Sequence, residues 1–196
     1  MRRIGVLIFV ISLVTSLALA ADTKPTVSNS AMDADQVAVY QAFLSSYNNG
    51  SKSRLNLSKL TSVFNPAEEK GDGCLKGIQF DIGGRFGSTI HEFDPHIALP
   101  TNVRLVDPND QRKSIEQNDP GHAIRQGKDV NGAVEAGFAA GLLTLSEVAF
   151  DKGHRYAAMN FSFVCGGLCG HGSTIVFEKR NGKWQESKRP CSVWMS

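Results

Sequence analysis

The stretch CGGLCGHG at residues 165–172 packs two cysteines, four glycines and a histidine into eight positions. Covalent haem attachment needs a histidine directly after the second cysteine of a pair spaced by two residues. Here three residues separate Cys165 from Cys169, and Gly170 intervenes before His171, so haem is excluded. Cys165, Cys169, Cys191 and His171 are chemically competent zinc ligands. Cys169 with His171 as base is a conceivable thiol nucleophile. Both need free thiolates, which an oxidising compartment removes. A glycine-rich turn pinned by a disulfide accounts for the stretch better.

HEFDPH at 91–96 is a second candidate, with His91, Asp94 and His96 as metal ligands and Glu92 as base. The helical zinc motif places its histidines four apart on one helix face. These are five apart with Pro95 between them, so a polar loop is the better reading. GIQFDIGGRFGS at 77–88 has glycines after an apolar run. It has no Lys-Ser/Thr pair and no helix start to present amides to phosphate, and a tight hairpin or bulge explains it. No metal and no cofactor are therefore expected.

Four cysteines in an exported chain make two disulfides, and export is what the first residues predict. MRRIGVLIFVISLVTSLALA has Arg2 and Arg3 as a charged lead, an apolar run from Ile4 to Leu17, and a small-x-small site at Ala18–Ala20. The run is shorter than the ~20 residues of a membrane span. Residues 1–20 thus read as a signal peptide, leaving no membrane span after its removal and a periplasmic or extracellular location. Without Arg2 and Arg3 the chain carries 19 basic and 19 acidic residues. A balance of that kind offers no field to attract nucleic acid or anionic lipid.

Residues 21–32 are polar and aperiodic and read as a flexible N-terminus, with residues 33–196 as a single globular domain. Val37, Tyr40, Phe43, Leu44 and Tyr47 fall at helical spacing, ending at Asn48-Asn49-Gly50. The mixed apolar residues from Leu55 to Phe64 have no assignable period. Cys74 to Val106 reads as short strands interrupted by glycine and proline. Asp107-Pro108 opens a polar helix that Pro120-Gly121 ends, and Asp129 opens a second amphipathic segment. In that segment Val130, Val134, Phe138 and Leu142 share one face, and the surrounding glycines and alanines predict close packing on a sheet.

The last third reads as an antiparallel meander of four runs. Asn181-Gly182 is a two-residue hairpin signal. Ala157, Met159, Phe161, Phe163 and Cys165 alternate onto one face, with Asn160 and Ser162 on the other. Counting back from that hairpin places Cys191 near Gly172, so that three cysteines converge on one sheet end. The glycines let Cys165 fold back to Cys169, which leaves Cys74 for Cys191. The pairing Cys169–Cys191 with Cys74–Cys165 stands close behind. The fold class is α+β: an N-terminal helix and a second helical segment on an antiparallel meander, with cystatin-like and nuclear-transport-factor-like cones as analogies.

LSEVAFDKGHRYAAMNFSFVCGGLCGHGSTIVFEKRNGKW, followed by CSVWMS, resembles the ending of a family of exported bacterial proteins with no assigned activity. The shared features are the LSEVAF strand, a CG-x-LCG loop, a G-K-W turn and a terminal tryptophan followed closely by serine. VYQAFLSSYNNGSK at 39–52 and VRLVDPNDQRKSIEQNDP at 103–120 extend the similarity. It implies an exported location and a C-terminal meander. Together these features predict a non-enzymatic binding module for an unidentified protein, peptide or envelope component. The alternative is a small metal-dependent or thiol hydrolase using His91–His96 or Cys169–His171.

Overall fold

A computed structural model describes residues 24–47, 53–69, 73–83 and 88–196. Residues 1–20, read from the sequence as a signal peptide, the expected helix stop at 48–50 and part of the 77–88 glycine run lie outside the described residues. The elements in chain order are β1 (Thr26–Val27), α1 (Ala34–Tyr47), β2 (Leu55–Ser58), β3 (Thr89–Ile90), β4 (Val103–Val106) and α2 (Pro108–Gln117). They continue with α3 (Pro120–Arg125), α4 (Val130–Ala140), β5 (Leu142–Leu145), β6 (Ala149–Phe150) and β7 (Tyr156–Gly166). β8 (Cys169–Arg180), β9 (Lys183–Glu186) and β10 (Val193–Met195) complete them.

The fold is α+β. A strongly curled sheet runs in the order β10-β8-β7-β5-β2-β4, with β9 also on β8 and β6 also on β7. Strands β5 to β10 pair antiparallel, as a meander should. The sheet as a whole is mixed, because β2 pairs parallel to both β4 and β5. The unassigned Leu55–Ser58 stretch is therefore a central strand, buried throughout. Its sequence hides this because Asn56 looks like a loop residue. Asn56 is buried only because its amide donates to the carbonyls of Ala139 and Gly141, at 3.0 and 2.8 Å, and a satisfied polar group can be buried at little cost.

The core lies between α1 and the face built by Leu57, Leu143, Leu145, Ala157, Met159, Phe161, Phe163 and Phe177. From α1 it takes Val39, Tyr40, Phe43 and Leu44, all at most 1% exposed. Each such side chain contributes roughly 1.5–3 kcal/mol by leaving water. Residues 24–32 differ from a flexible lead-in: β1 pairs in parallel with β3, Thr26 opposite Thr89 and Val27 opposite Ile90.

The helical layer differs from expectation in two places. Pro120 starts a helix instead of ending one, because Asp119 caps α3 and Pro120 takes a first-turn position that needs no N–H. On α4, capped by Asp129, the large residues face outward: Val130 and Phe138 are more than half exposed, and Val134 is exposed too. The buried face is Ala133, Gly137 and Ala140. The small residues do make the close approach. A Cβ at Gly137 would meet Pro120 Cγ and Cδ at 2.4 and 2.9 Å, with the Cys165 carbonyl at 3.3 Å.

Asn181 and Gly182 form the β8–β9 turn with φ of 51° and 74°, and Arg180 opposes Lys183. Beyond Glu186 the register departs from a straight count. Trp194, not Cys191, sits opposite Gly172. The intervening chain is drawn off the ladder: Pro190 has no N–H to give, and Arg189 donates to the carbonyls of Cys74 and Lys76 at 3.1 and 2.9 Å. The three cysteines therefore do not converge. Cys165 is buried in the α1 core, whereas Cys74 and Cys191 belong to a second apolar cluster with Phe64, Leu75, Ala158 and Val176.

Candidate functional site: a hydroxyl-lined cleft on the second sheet face

Alternation along β7 and β8 sends Ala158, Asn160 and Ser162, with Gly172, Thr174 and Val176, to the face away from α1. The apolar cluster around Cys74 and Cys191 covers Ala158 and Val176. The positions beside them lie outside that cluster. There the sheet floor is polar, and a cleft of about 410 Å³ opens over it. Thr144, Asn160, Ser162 and Thr174 lie along the floor, Ser62 and Glu69 to one side, and Ser192 and Trp194 to the other.

Part of this floor is already ordered. Thr174 Oγ1 donates to Asn160 Oδ1 at 2.8 Å, and Asn160 Nδ2 donates to Glu69 Oε1 at 2.9 Å. The chain fixes the Asn160 amide orientation and presents one carboxylate at the cleft edge. Among the described residues, the hydroxyls of Thr144 and Ser162 carry no side-chain hydrogen bond, so both stay available to a ligand.

Trp194 supplies the apolar wall. A Cβ at Gly172 would lie 2.4 Å from Trp194 Nε1 and 2.6 Å from Cε2, and one at Gly170 3.4 Å from Cζ3. The indole therefore lies directly on backbone that only glycine leaves bare. Its outer side remains open, since Trp194 is 44% exposed. Ser196 N–H donates to the Gly170 carbonyl at 3.0 Å and holds the end of β10 in place. The glycines of CGGLCGHG thus build a shelf for an aromatic ring. The tip of the same hairpin is tied down by Asp119, which accepts from Gly167 N–H at 2.6 Å and His122 N–H at 2.7 Å. Those bonds hold its carboxyl below the ordinary aspartate range.

The residues singled out by sequence sit elsewhere. Cys74 and Cys191 stand at disulfide distance, S–S 2.12 Å, as do Cys165 and Cys169 at 1.83 Å. Cys169 so paired has no thiolate to offer His171. His171 Nε2 instead hydrogen-bonds Tyr47 Oη at 3.0 Å, and burial pushes the Tyr47 phenol up to about 12. Asp94 and His96 are exposed and share a turn, with His96 N–H donating to Asp94 Oδ1 at 2.7 Å. His91 is half-buried and joined to Glu147, not to Asp94 or His96. Among the described residues no group of three or more His, Cys, Asp or Glu is placed to hold a metal. No described helix is long and apolar enough to cross a membrane.

Asn160 and Ser162 were legible as a polar face; that Thr144, Thr174 and Glu69 join them, with Trp194 as wall, depends on strand neighbours far apart in sequence. The fold and cleft define a curled-sheet α+β protein with an open polar cleft on one sheet face. A scan of protein-family models and searches of curated proteins and solved structures find no match.

Proposed function

We propose that this is an exported binding module whose cleft takes a hydroxyl-rich ligand, a saccharide of the cell envelope. The observation that carries the reading is Trp194 packed against Gly170 and Gly172 beside a floor of hydroxyl, amide and carboxylate groups. A pyranose ring offers an apolar C–H face and a rim of hydroxyls, each both donor and acceptor. An exposed indole suits the face. Unpaired Thr144 and Ser162 hydroxyls, the fixed Asn160 amide and Glu69 suit the rim. A cleft of about 410 Å³ falls in the range of small-ligand sites.

Export rests on residues 1–20, and four cysteines paired at disulfide distance accord with an oxidising compartment. Intact mass of exported protein should show Ala21 as the first residue; a mass retaining residues 1–20 would make the segment an anchor. The metal- or thiol-hydrolase alternative draws on no arrangement of His91–His96 or Cys169–His171 described above.

The binding test is calorimetric titration with neutral and acidic oligosaccharides, including β-1,4-linked N-acetylhexosamine oligomers, and with a peptide mixture as comparison. Saccharide binding that weakens at least tenfold in Trp194→Ala supports the reading. Binding of peptides alone, or saccharide affinity unchanged in Trp194→Ala, overturns it.

A further inference from the structure

The segment before α1 lies against the residues after β3, and this brings together three side chains that neither the cleft nor the core requires. His91 Nδ1 is 2.9 Å from Glu147 Oε2. His91 Nε2 is 3.4 Å from Ser30 Oγ. A serine, a histidine and a carboxylate are thus connected in the order of a nucleophile, its base and the group that orients the base.

Each link has an identifiable support. Glu147 Oε1 accepts from the Thr61 hydroxyl and from His91 N–H, the latter at 2.9 Å. Glu147 Oε2 also accepts from Gln36 Nε2 at 2.9 Å. A carboxylate holding these donors accepts the proton on His91 Nδ1, which leaves Nε2 as the acceptor facing Ser30. The imidazole and carboxylate side chains are only 16% and 13% exposed, whereas Ser30 is exposed. Ser28 N–H donates to the Ile90 carbonyl at 2.7 Å, and Ser28 Oγ is 2.7 Å from Ser30 Oγ. With Ser28 as donor in that contact, the Ser30 proton is directed to His91. A separation of 3.4 Å is long for a ground-state bond and of the kind that tightens when substrate binds.

A largely apolar groove adjoins the serine. Ala31, Met32, Val37, Phe93, Pro95 and Ile97 line it together with Glu92, Asp94 and His96, and its volume is about 650 Å³. Ala31 and Met32 follow Ser30 directly in the chain, so the groove wall begins next to the serine.

We propose that Ser30, His91 and Glu147 form a serine acyl-transfer site for esters with an apolar acyl chain held in this groove. Ser30 Oγ attacks the ester carbonyl and its proton passes to His91 Nε2. The C–O bond to the alcohol breaks, and His91 returns the proton to the departing alkoxide. Water then attacks the acyl-Ser30, again through His91, releasing the carboxylic acid and restoring Ser30. The role of Glu147 is to position His91. The site stands independently of the saccharide reading, since it shares no residue with the cleft.

The test treats the intact, disulfide-bonded protein with a fluorophosphonate probe, maps the adduct by mass spectrometry, and measures hydrolysis of p-nitrophenyl butyrate against acetate. The expected result is one adduct on Ser30, faster turnover of butyrate, and a loss of kcat of at least 100-fold in both Ser30→Ala and His91→Gln. Ser30 is exposed and outside regular structure, so Ser30→Ala keeps the fold, and Ser45→Ala, at an exposed serine of α1, retains the adduct. No adduct, an adduct on another residue, or hydrolysis that survives Ser30→Ala overturns the proposal.

Discussion

Two glycines five residues apart on α4 should respond in opposite directions to the same substitution. Alanine is favoured over glycine in a helix interior by about 0.8–1 kcal/mol, so propensity alone makes both replacements stabilising. At exposed Gly132 the new methyl would meet only Asp129 Oδ2, at an ordinary 3.5 Å, and the capping bond from Gly132 N–H to that oxygen is retained. Gly132→Ala should therefore stabilise by about 0.5–1 kcal/mol. At Gly137 the methyl would lie 2.4 and 2.9 Å from Pro120 Cγ and Cδ, with the Cys165 carbonyl at 3.3 Å behind. Pro120 is a ring fixed in the first turn of α3, so relief requires α4 to move from α3 and the β7–β8 hairpin. Overpacking of this kind costs about 1–3 kcal/mol. Set against the propensity gain, Gly137→Ala should destabilise by up to about 2 kcal/mol, or lower Tm by up to roughly 8 °C in a chain of this size. Urea unfolding with the disulfides intact should show shifted midpoints and unchanged slopes. Equal stabilisation by both substitutions would refute the tight α3–α4 contact and the outward placement of Val130, Val134 and Phe138.

Three further outcomes follow from named contacts. Replacing Cys74 and Cys191 by serine reopens a loop with a sequence separation of 117 and should cost roughly 5 kcal/mol on chain-entropy grounds. The Cys165/Cys169 pair closes a separation of 4 and should cost roughly 2; equal losses in denaturant melts would contradict this ordering. Non-reducing peptide mapping should link the peptide carrying Cys191 to the one carrying Cys74, and a link to the 156–179 region would contradict it. Asp119 has a folded-state pKa held down by Gly167 and His122 amides, so its contribution is complete above the unfolded value of about 3.9 and is lost as pH falls through the folded value. Wild type should exceed Asp119→Asn by about 1 kcal/mol at pH 7, with the gap closing in acid as the carboxyl protonates; a gap independent of pH would contradict the assignment.

Features carried by local chemistry were legible in the sequence. Asp107 and Asp129 as helix caps, the α1 face through Tyr40, Phe43 and Leu44, and the Asn181-Gly182 turn each depend on residues close in the chain. Features decided by distant partners were not. Asn56 is tolerable in a buried strand only because the end of α4 offers it carbonyls. The α4 orientation followed the small residues because Pro120 and the Cys165 backbone reward close approach more than Val130 and Phe138 gain from burial. Cys191 missed its counted place because Arg189, Pro190 and the bond to Cys74 shift the chain by three residues before β10. The cleft was half visible, in the polar alternation of Asn160 and Ser162, while its tryptophan wall waited on that same shift.

The two indole N–H signals of the protein permit the most direct test of the saccharide cleft. Trp184 is buried and donates to Asp35 Oδ1 at 3.1 Å, which makes it an internal reference. Trp194 is exposed at the cleft. In a ¹⁵N-labelled titration with β-1,4-linked N-acetylhexosamine oligomers, the Trp194 indole and the amides of Asn160, Ser162 and Thr174 should shift saturably while the Trp184 indole stays in place. Saturable shifts confined to other surfaces, or no shifts at millimolar oligosaccharide, would contradict the account.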